Sequence, residues 1–232
     1  MIIGSGMLAR SFTPAFAQCK NVCIYAAGVS NSSCLDDREF SRERQRLENA
    51  IGQNTDVHTF VYFGTCSIAD PEARNTPYVQ HKIAMEQLVA KHPQSLILRL
   101  PQVAGITPNP HTLLNFIYAR IARSERFNLW RLAKRNIIDV TDVVLISQHL
   151  IANRSLRNTT INIANKSSYP MTDIVSTMGH VVGKHPIYDL VEQGADYAIE
   201  TQDISPLLEK ARVHFGSDYL EKVLAKYYHE KI

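Results

Sequence analysis

The sequence predicts an α/β protein built on a doubly wound parallel sheet of reduced strand number, with a smaller, intertwined lobe in the C-terminal half. Three observations carry this. Short apolar, β-rich runs alternate with helical patterns up to Pro101; two of those runs, His58–Phe63 and Leu96–Leu100, are almost continuously apolar; and the regularity breaks after Pro101. Strand–helix–strand alternation implies βαβ units and parallel pairing. A continuously apolar strand is what a sheet covered by helices on both faces requires.

The elements follow in order. Strands are expected at Met1–Ile3, Asn21–Ala26, His58–Phe63 and Ser95–Leu100, with helices at Met7–Gln18, Glu39–Gly52 and Tyr78–Lys91 between them. In the last helix Ile83, Leu88 and Val89 recur at helical spacing among polar residues. After Pro101, Gly105, Pro108 and Pro110 punctuate a loop, a Leu/Ile-rich helix follows at Leu113–Arg123, and a basic segment runs through Arg131–Arg135. A strand near Asn136–Ile138, a helix at Asp142–Ala152 and a strand at Thr159–Ile163 come next. The Tyr169-Pro170-Met171-Thr172 step opens a helix to Val182, and two short helices close the chain. The expected organisation is a core over 1–105 and a second lobe over 106–232, with 136–165 returning to the core.

Composition narrows the function classes. The 232 residues are 45% hydrophobic and 20% charged, which is globular rather than disordered. A net charge of +3 lacks the concentrated basic face of a nucleic-acid binder. Mean hydropathy is −0.16, and no apolar run reaches the roughly 18 residues of a membrane span. The opening Met-Ile-Ile-Gly-Ser-Gly lacks the basic and apolar regions of a signal peptide. Cys19, Cys23, Cys34 and Cys66 form no C-x-x-C pair, and the histidines show no ligand spacing. The expectation is a cytoplasmic protein with no metal, no nucleic-acid partner and no membrane partner.

Two motifs carry chemistry. Gly4-x-Gly6-x-x-Ala9 joins the first strand to the first helix, the context in which small residues admit a dinucleotide pyrophosphate to a helix N-terminus. A plain tight turn would use the same residues. The acidic residue that should follow about 20 positions on is absent, since that region reads Ala26-Ala27-Gly28-Val29. Tyr78-x-x-x-Lys82 is the second motif. On a helix the two share a face, and an ammonium beneath a phenol favours phenolate. Such a tyrosine can exchange a proton with a carbinol oxygen. An exposed Tyr–Lys pair would leave the same trace in the sequence. Thr65-Cys66-Ser67, after Phe60-Val61-Tyr62-Phe63-Gly64, puts hydroxyls at a strand's C-terminal end, where open α/β sheets bind ligands.

The ordered set resembles the extended short-chain dehydrogenase/reductases, the nucleotide-sugar epimerase, dehydratase and reductase family. It comprises G-x-G-x-x-A, then I-Y-A-A-G, F-V-Y-F-G-T-C-S, P-Y-x-x-x-K and L-R-L-P-Q-V-A-G. Asn136-Ile137-Ile138-Asp139-Val140-Thr141-Asp142-Val143 and Thr160-Ile161-Asn162-Ile163-Ala164 extend it over most of the chain. The resemblance implies a Rossmann-like fold binding NADP or NAD, with Tyr78 as acid/base, Lys82 as its partner and ribose ligand, and Thr65 on the reacting oxygen. It places the cofactor against Gly4, Ser5, Gly6, Met7 and Leu8, against Ala26, Ala27 and Gly28, and beside Pro101 and Val103. Arg10 is a candidate for a 2′-phosphate, tilting the choice to NADP. Cys66, Ser67, Gln102, Thr112, Leu113 and Lys134 or Arg135 fall on the substrate side. A homodimer pairing helices Glu39–Gly52 and Tyr78–Lys91 is also implied.

Two departures qualify the resemblance. The family's dehydratases carry an Asp–Glu pair after the Thr, where this chain has Cys66 and Ser67, so dehydration is disfavoured. Only Cys19 and Lys20 separate Gln18 from Asn21, too short for a βαβ unit of about 30 residues; the strands that cradle adenosine are missing. The expected function is a nucleotide-sugar reductase or epimerase in polysaccharide or glycoconjugate precursor synthesis. The competing expectation is a binding or scaffold module that kept the fold and lost the dinucleotide.

Overall fold

The computed structural model describes residues 1–229; the last three positions of the expected second lobe lie outside them. Along the chain come β1 (Ile2–Ile3), α1 (Met7–Phe16), β2 (Val22–Tyr25), α2 (Asp37–Gln53), β3 (Thr59–Thr65), a 3₁₀ turn at Cys66–Ala69, α3 (Pro77–Val89) and β4 (Ser95–Leu100). Then follow β5 (Gln102–Ala104), α4 (Leu113–Ala122), β6 (Phe127–Trp130), β7 (Lys134–Arg135), β8 (Ile137–Asp139), α5 (Val140–Ala152) and β9 (Thr159–Asn162). The chain ends through β10 (Tyr169–Pro170), α6 (Met171–Val182), β11 (Tyr188–Val191), a 3₁₀ turn at Ser205–Leu207 and α7 (Tyr219–Tyr228).

The main sheet runs β1-β2-β3-β4-β9, with every pair parallel. Its residues alternate between two cores. Ile24, Val61, Phe63, Leu96 and Leu98 face Phe12 and Phe16 of α1 and Val143, Ile146 and Leu150 of α5. Their neighbours Cys23, Tyr25, Phe60, Tyr62 and Ile97 face Leu47 and Ala50 of α2 and Met85 and Val89 of α3. Both faces are dry, which is why these strands read as unbroken apolar runs. This is the Rossmann-like α/β architecture the sequence predicts. β1 pairs directly with β2 and forms the outer edge of the sheet, so the two strands missing from the sequence are missing from the sheet as well.

A further hydrophobic core gathers α4, α6 and α7, through Leu114, Ile117 and Ile121, Ile174 and Met178, and Leu220, Val223 and Leu224. A parallel β6–β11 ribbon flanks it, an element the sequence did not suggest. Two other short pairs are β5–β8, which is parallel, and β7–β10, which is antiparallel. Asp139 caps α5 by accepting from the Thr141 N–H at 2.7 Å. The same carboxylate accepts from Lys226 Nζ and the Tyr227 hydroxyl of α7, each at 2.7 Å. The Arg131–Arg135 stretch is not a free basic patch: Arg131 pairs with Glu192 and Lys134 with Asp196 across the ribbon. No described helix is long and apolar enough to cross a membrane.

Leu98 of β4 is fully buried in the core shared with α1 and α5. Leu98→Ala is expected to destabilise the fold by about 2–5 kcal/mol, read as a lower midpoint in denaturant unfolding.

Candidate active site

A cavity of about 690 Å³ opens where the strands of the main sheet end, above the β1–α1 turn. Its floor is Gly4-Ser5-Gly6, and Ala26-Ala27-Gly28, following β2, forms the adjoining wall. The two loops touch. Gly4 has φ +135°, and a Cβ there would lie 2.3 Å from the Ala26 carbonyl oxygen, so only glycine fits. Gly6 caps α1 with extended backbone and no side-chain hydrogen bond, and no acidic residue occupies the first turn. The N-terminus of α1, with Met7 and Leu8 on the cavity wall, is therefore left to an anion. Arg10 lines the same cavity; its guanidinium donates to Ser5 O at 3.1 Å and Ile106 O at 3.4 Å. Pro101, Gln102 and Val103 border the cavity at the end of β4.

The opposite wall comes from α3. Pro77 occupies the first turn and Thr76 caps it, accepting from the Val79 N–H at 3.4 Å. This fixes Tyr78 and Lys82 one turn apart, both on the cavity. Thr65, at the end of β3, accepts from the Ser67 N–H at 3.1 Å, and its hydroxyl hydrogen-bonds the Tyr78 phenol. Thr65, Tyr78 and Lys82, from two elements, thus line one cavity.

The electrostatics run against the sequence expectation of a depressed phenol. Burial raises the Tyr78 pKa above that of an ordinary tyrosine, the Glu43 carboxylate raises it further, and the Thr65 hydrogen bond lowers it. Lys82 is 4% exposed, and its ammonium is already engaged. It donates to the Tyr62 hydroxyl at 2.9 Å and to Glu43 Oε1 at 3.3 Å, and it lies 4.8 Å from the centre of the Tyr62 ring.

Glu43, Tyr62 and His81 are the residues that sequence reasoning missed. The Glu43 side chain is 1% exposed and fully satisfied. Oε1 accepts from the Tyr62 hydroxyl at 2.9 Å, and Oε2 accepts from the Val29 N–H at 2.7 Å and lies 2.9 Å from His81 Nε2. Burial alone would raise its pKa, but the His81 hydrogen bond, the Lys82 charge and the Val29 N–H outweigh it and bring it down to about 2. One signal was available. Glu43, Leu47 and Ala50 share the buried face of α2, and a carboxylate at such spacing has to be paired.

Of the residues expected to contact substrate, Ser67, Gln102 and Thr112 line the main cavity, and Leu113 and Arg135 line an adjoining one. Thr112 is also the cap of α4. Arg135 lies 3.9 Å from the buried Asp70, whereas Lys134 turns away to Asp196. Cys66 lines neither cavity; it is 3% exposed, and burial pushes its thiol up to about 12, against the pull of Arg99 and with that of Glu86. Among the described residues no cluster of His, Cys, Asp and Glu could hold a metal ion.

The family model described as the NAD dependent epimerase/dehydratase family matches residues 39–164, more than half of the chain. No curated protein matches at a significant level. Among solved structures, RMD from Pseudomonas aeruginosa complexed with NADPH superposes with a TM-score of 0.73 at 12% identity, covering 100% of this chain and 98% of that one. The UDP-glucose 4-epimerase of Thermus thermophilus, in complex with NAD, gives 0.71 at 16% identity, covering 95% and 82%. The dTDP-glucose 4,6-dehydratase of Bacillus anthracis str. Ames in complex with NAD gives 0.70 at 14%, covering 90% and 71%. At these identities the superpositions establish the fold alone.

A Cβ at Gly28 would lie 2.8 Å from both Glu43 Oε1 and Lys82 Nζ, whereas one at Gly6 would meet nothing within 4 Å. Gly28→Ala is expected to cost about 1–3 kcal/mol of stability, and Gly6→Ala far less. Thermal unfolding of the two variants side by side checks this.

Proposed function

Because the chain belongs to the NAD dependent epimerase/dehydratase family, we propose that it is an NAD(P)-dependent oxidoreductase or epimerase of a nucleotide-activated keto sugar, serving polysaccharide or glycoconjugate precursor synthesis. The observation that carries this is the meeting of Thr65, Tyr78 and Lys82 on one cavity with the uncapped N-terminus of α1. The residues fit a nicotinamide dinucleotide. The Gly4-Ser5-Gly6 turn and the first N–H groups of α1 suit its pyrophosphate, Ala26-Ala27-Gly28 passes it by backbone, and Lys82 faces its ribose. When bound, the nicotinamide supplies the hydride. Tyr78 gives its phenolic proton to the carbonyl oxygen as that oxygen becomes an alcohol, and Thr65 orients the same oxygen.

Several features sharpen the reading. Removing water from a sugar needs a further acid and base, and at the family's Asp–Glu positions this chain offers Ser67 and a Cys66 thiol held un-ionised by burial, which disfavours dehydration. An epimerase keeps one cofactor through both half-reactions, whereas a reductase exchanges it at each turnover. The open edge at β1 suits exchange and so a reductase. Arg10 beside the pyrophosphate turn favours NADP over NAD. Thr112, Leu113 and Arg135 are placed for the diphosphate of the sugar nucleotide. The partner is a second copy of the chain, through α2 and α3.

Turnover of nucleotide-diphosphate keto sugars with NADPH tests the mechanism. Tyr78→Phe is expected to lose about a hundred- to ten-thousand-fold in rate, and Lys82→Ala to fall with it. Unchanged rates in both variants would sink the proposal.

A further inference from the structure

The Lys82 ammonium does not stand alone in the cavity wall. Lys82 Nζ, Glu43 Oε1 and the Tyr62 hydroxyl form a closed triangle with sides of 3.3, 2.9 and 2.9 Å, in the cavity wall that Tyr78 also lines. The second carboxylate oxygen of Glu43 is anchored by the Val29 N–H and His81. α2 therefore reaches through the wall and meets the catalytic helix at its lysine. Gly28 leaves the room: a Cβ there would touch both partners.

Resting on the reading of Tyr78 and Lys82 as the catalytic pair, we propose that Glu43 is a positioning residue that holds the Lys82 ammonium in a buried ion pair. Its charge is thereby cancelled at Tyr78, and the phenol stays protonated. A protonated phenol donates; it does not abstract. In reduction of a keto group the carbonyl oxygen receives the Tyr78 proton while its carbon receives hydride, and the phenol need not ionise beforehand. In a pair without the carboxylate, the unshielded ammonium would favour phenolate.

Of the groups around Tyr78, Glu43 of α2 and Thr65 of β3 act on its phenol directly, and Lys82 and His81 of its own helix and Tyr62 of β3 are tied to Glu43. Arg10, Arg46 and His111 line the same cavity, and Glu72 lines the adjoining one. Across the adjoining cavity stand Asp70 and Arg135, which are 3.9 Å apart, together with Tyr197. Among the described residues, only Glu43 is both anionic and in contact with the lysine.

Fluorine NMR of a single fluorotyrosine placed at position 78 in the full chain reads this phenol alone. Its titration midpoint is expected to lie above that of free fluorotyrosine, and Glu43→Gln is expected to bring it down by about one pH unit or more. The double variant Glu43→Gln/Lys82→Met, which leaves no unpaired charge in the wall, is expected to return the midpoint to the parent's. A Gln variant with an unmoved midpoint, or a double variant titrating as low as the single one, overturns the assignment. Should Glu43→Gln alone fail to fold, Lys82→Met is compared with the double variant: its midpoint lies higher if Glu43 acts on the phenol, and equality overturns the proposal. Turnover of Tyr78→Phe separates the two claims. Retained turnover removes the catalytic reading and this proposal with it; lost turnover with an unmoved Gln midpoint overturns the role of Glu43 alone.

Discussion

Parallel pairing of β2, β3 and β4 aligns Tyr25 with Tyr62 and Tyr62 with Ile97, and α2 and α3 pack on the face those side chains form. The functional geometry depends on that register. It ends the three strands at one edge, so that Gly28, Thr65 and Pro101 surround a common cavity. It also brings Glu43 of α2 against Lys82 of α3 across the Tyr62 hydroxyl. A slip of one residue in β3 would send Tyr62 to the opposite face and dissolve the ion pair that depends on it.

Burying that ion pair is costly unless each partner is fully hydrogen-bonded, and the structure meets the condition. Four groups reach the Glu43 carboxylate from three segments of chain. The same burial that holds the pair together keeps water from screening it. At the neighbouring phenol, burial and then the Glu43 carboxylate raise the pKa. The cavity therefore joins a proton donor kept in its neutral form to an uncapped helix end suited to an anion.

Much of this was legible in the sequence, and the limits are physical. The strands were readable because both faces of the sheet are dry, which leaves apolar runs at Phe60–Phe63 and Leu96–Leu98. The Tyr78–Lys82 spacing was readable because helical geometry fixes it, and the missing strands because Gln18 and Asn21 are too close to enclose them. The β6–β11 ribbon was hidden because its residues alternate between core and solvent, as in Phe127, Asn128, Leu129 and Trp130, and its partner lies some sixty residues away. The raised pKa of Tyr78 was hidden for a related reason, since burial, its largest cause, and then Glu43 both come from tertiary packing. Spacing along one helix reveals Lys82, but a carboxylate arriving from another helix leaves no mark in that spacing. Glu43 is written into α2 as an acid on an apolar face, and only the packing of α2 on α3 gives it meaning.

The shortened sheet makes nicotinamide binding the point on which the whole account turns, because β1 is the edge where further strands would cradle adenosine. Titration of the chain with NADPH and with NADH, followed by nicotinamide fluorescence, tests it most directly. Saturable binding, tighter for NADPH and weakened by Gly6→Val at the mouth of the pyrophosphate turn, is the predicted result. Binding of neither dinucleotide at millimolar concentration would contradict the account and leave a module that has kept the fold without its cofactor.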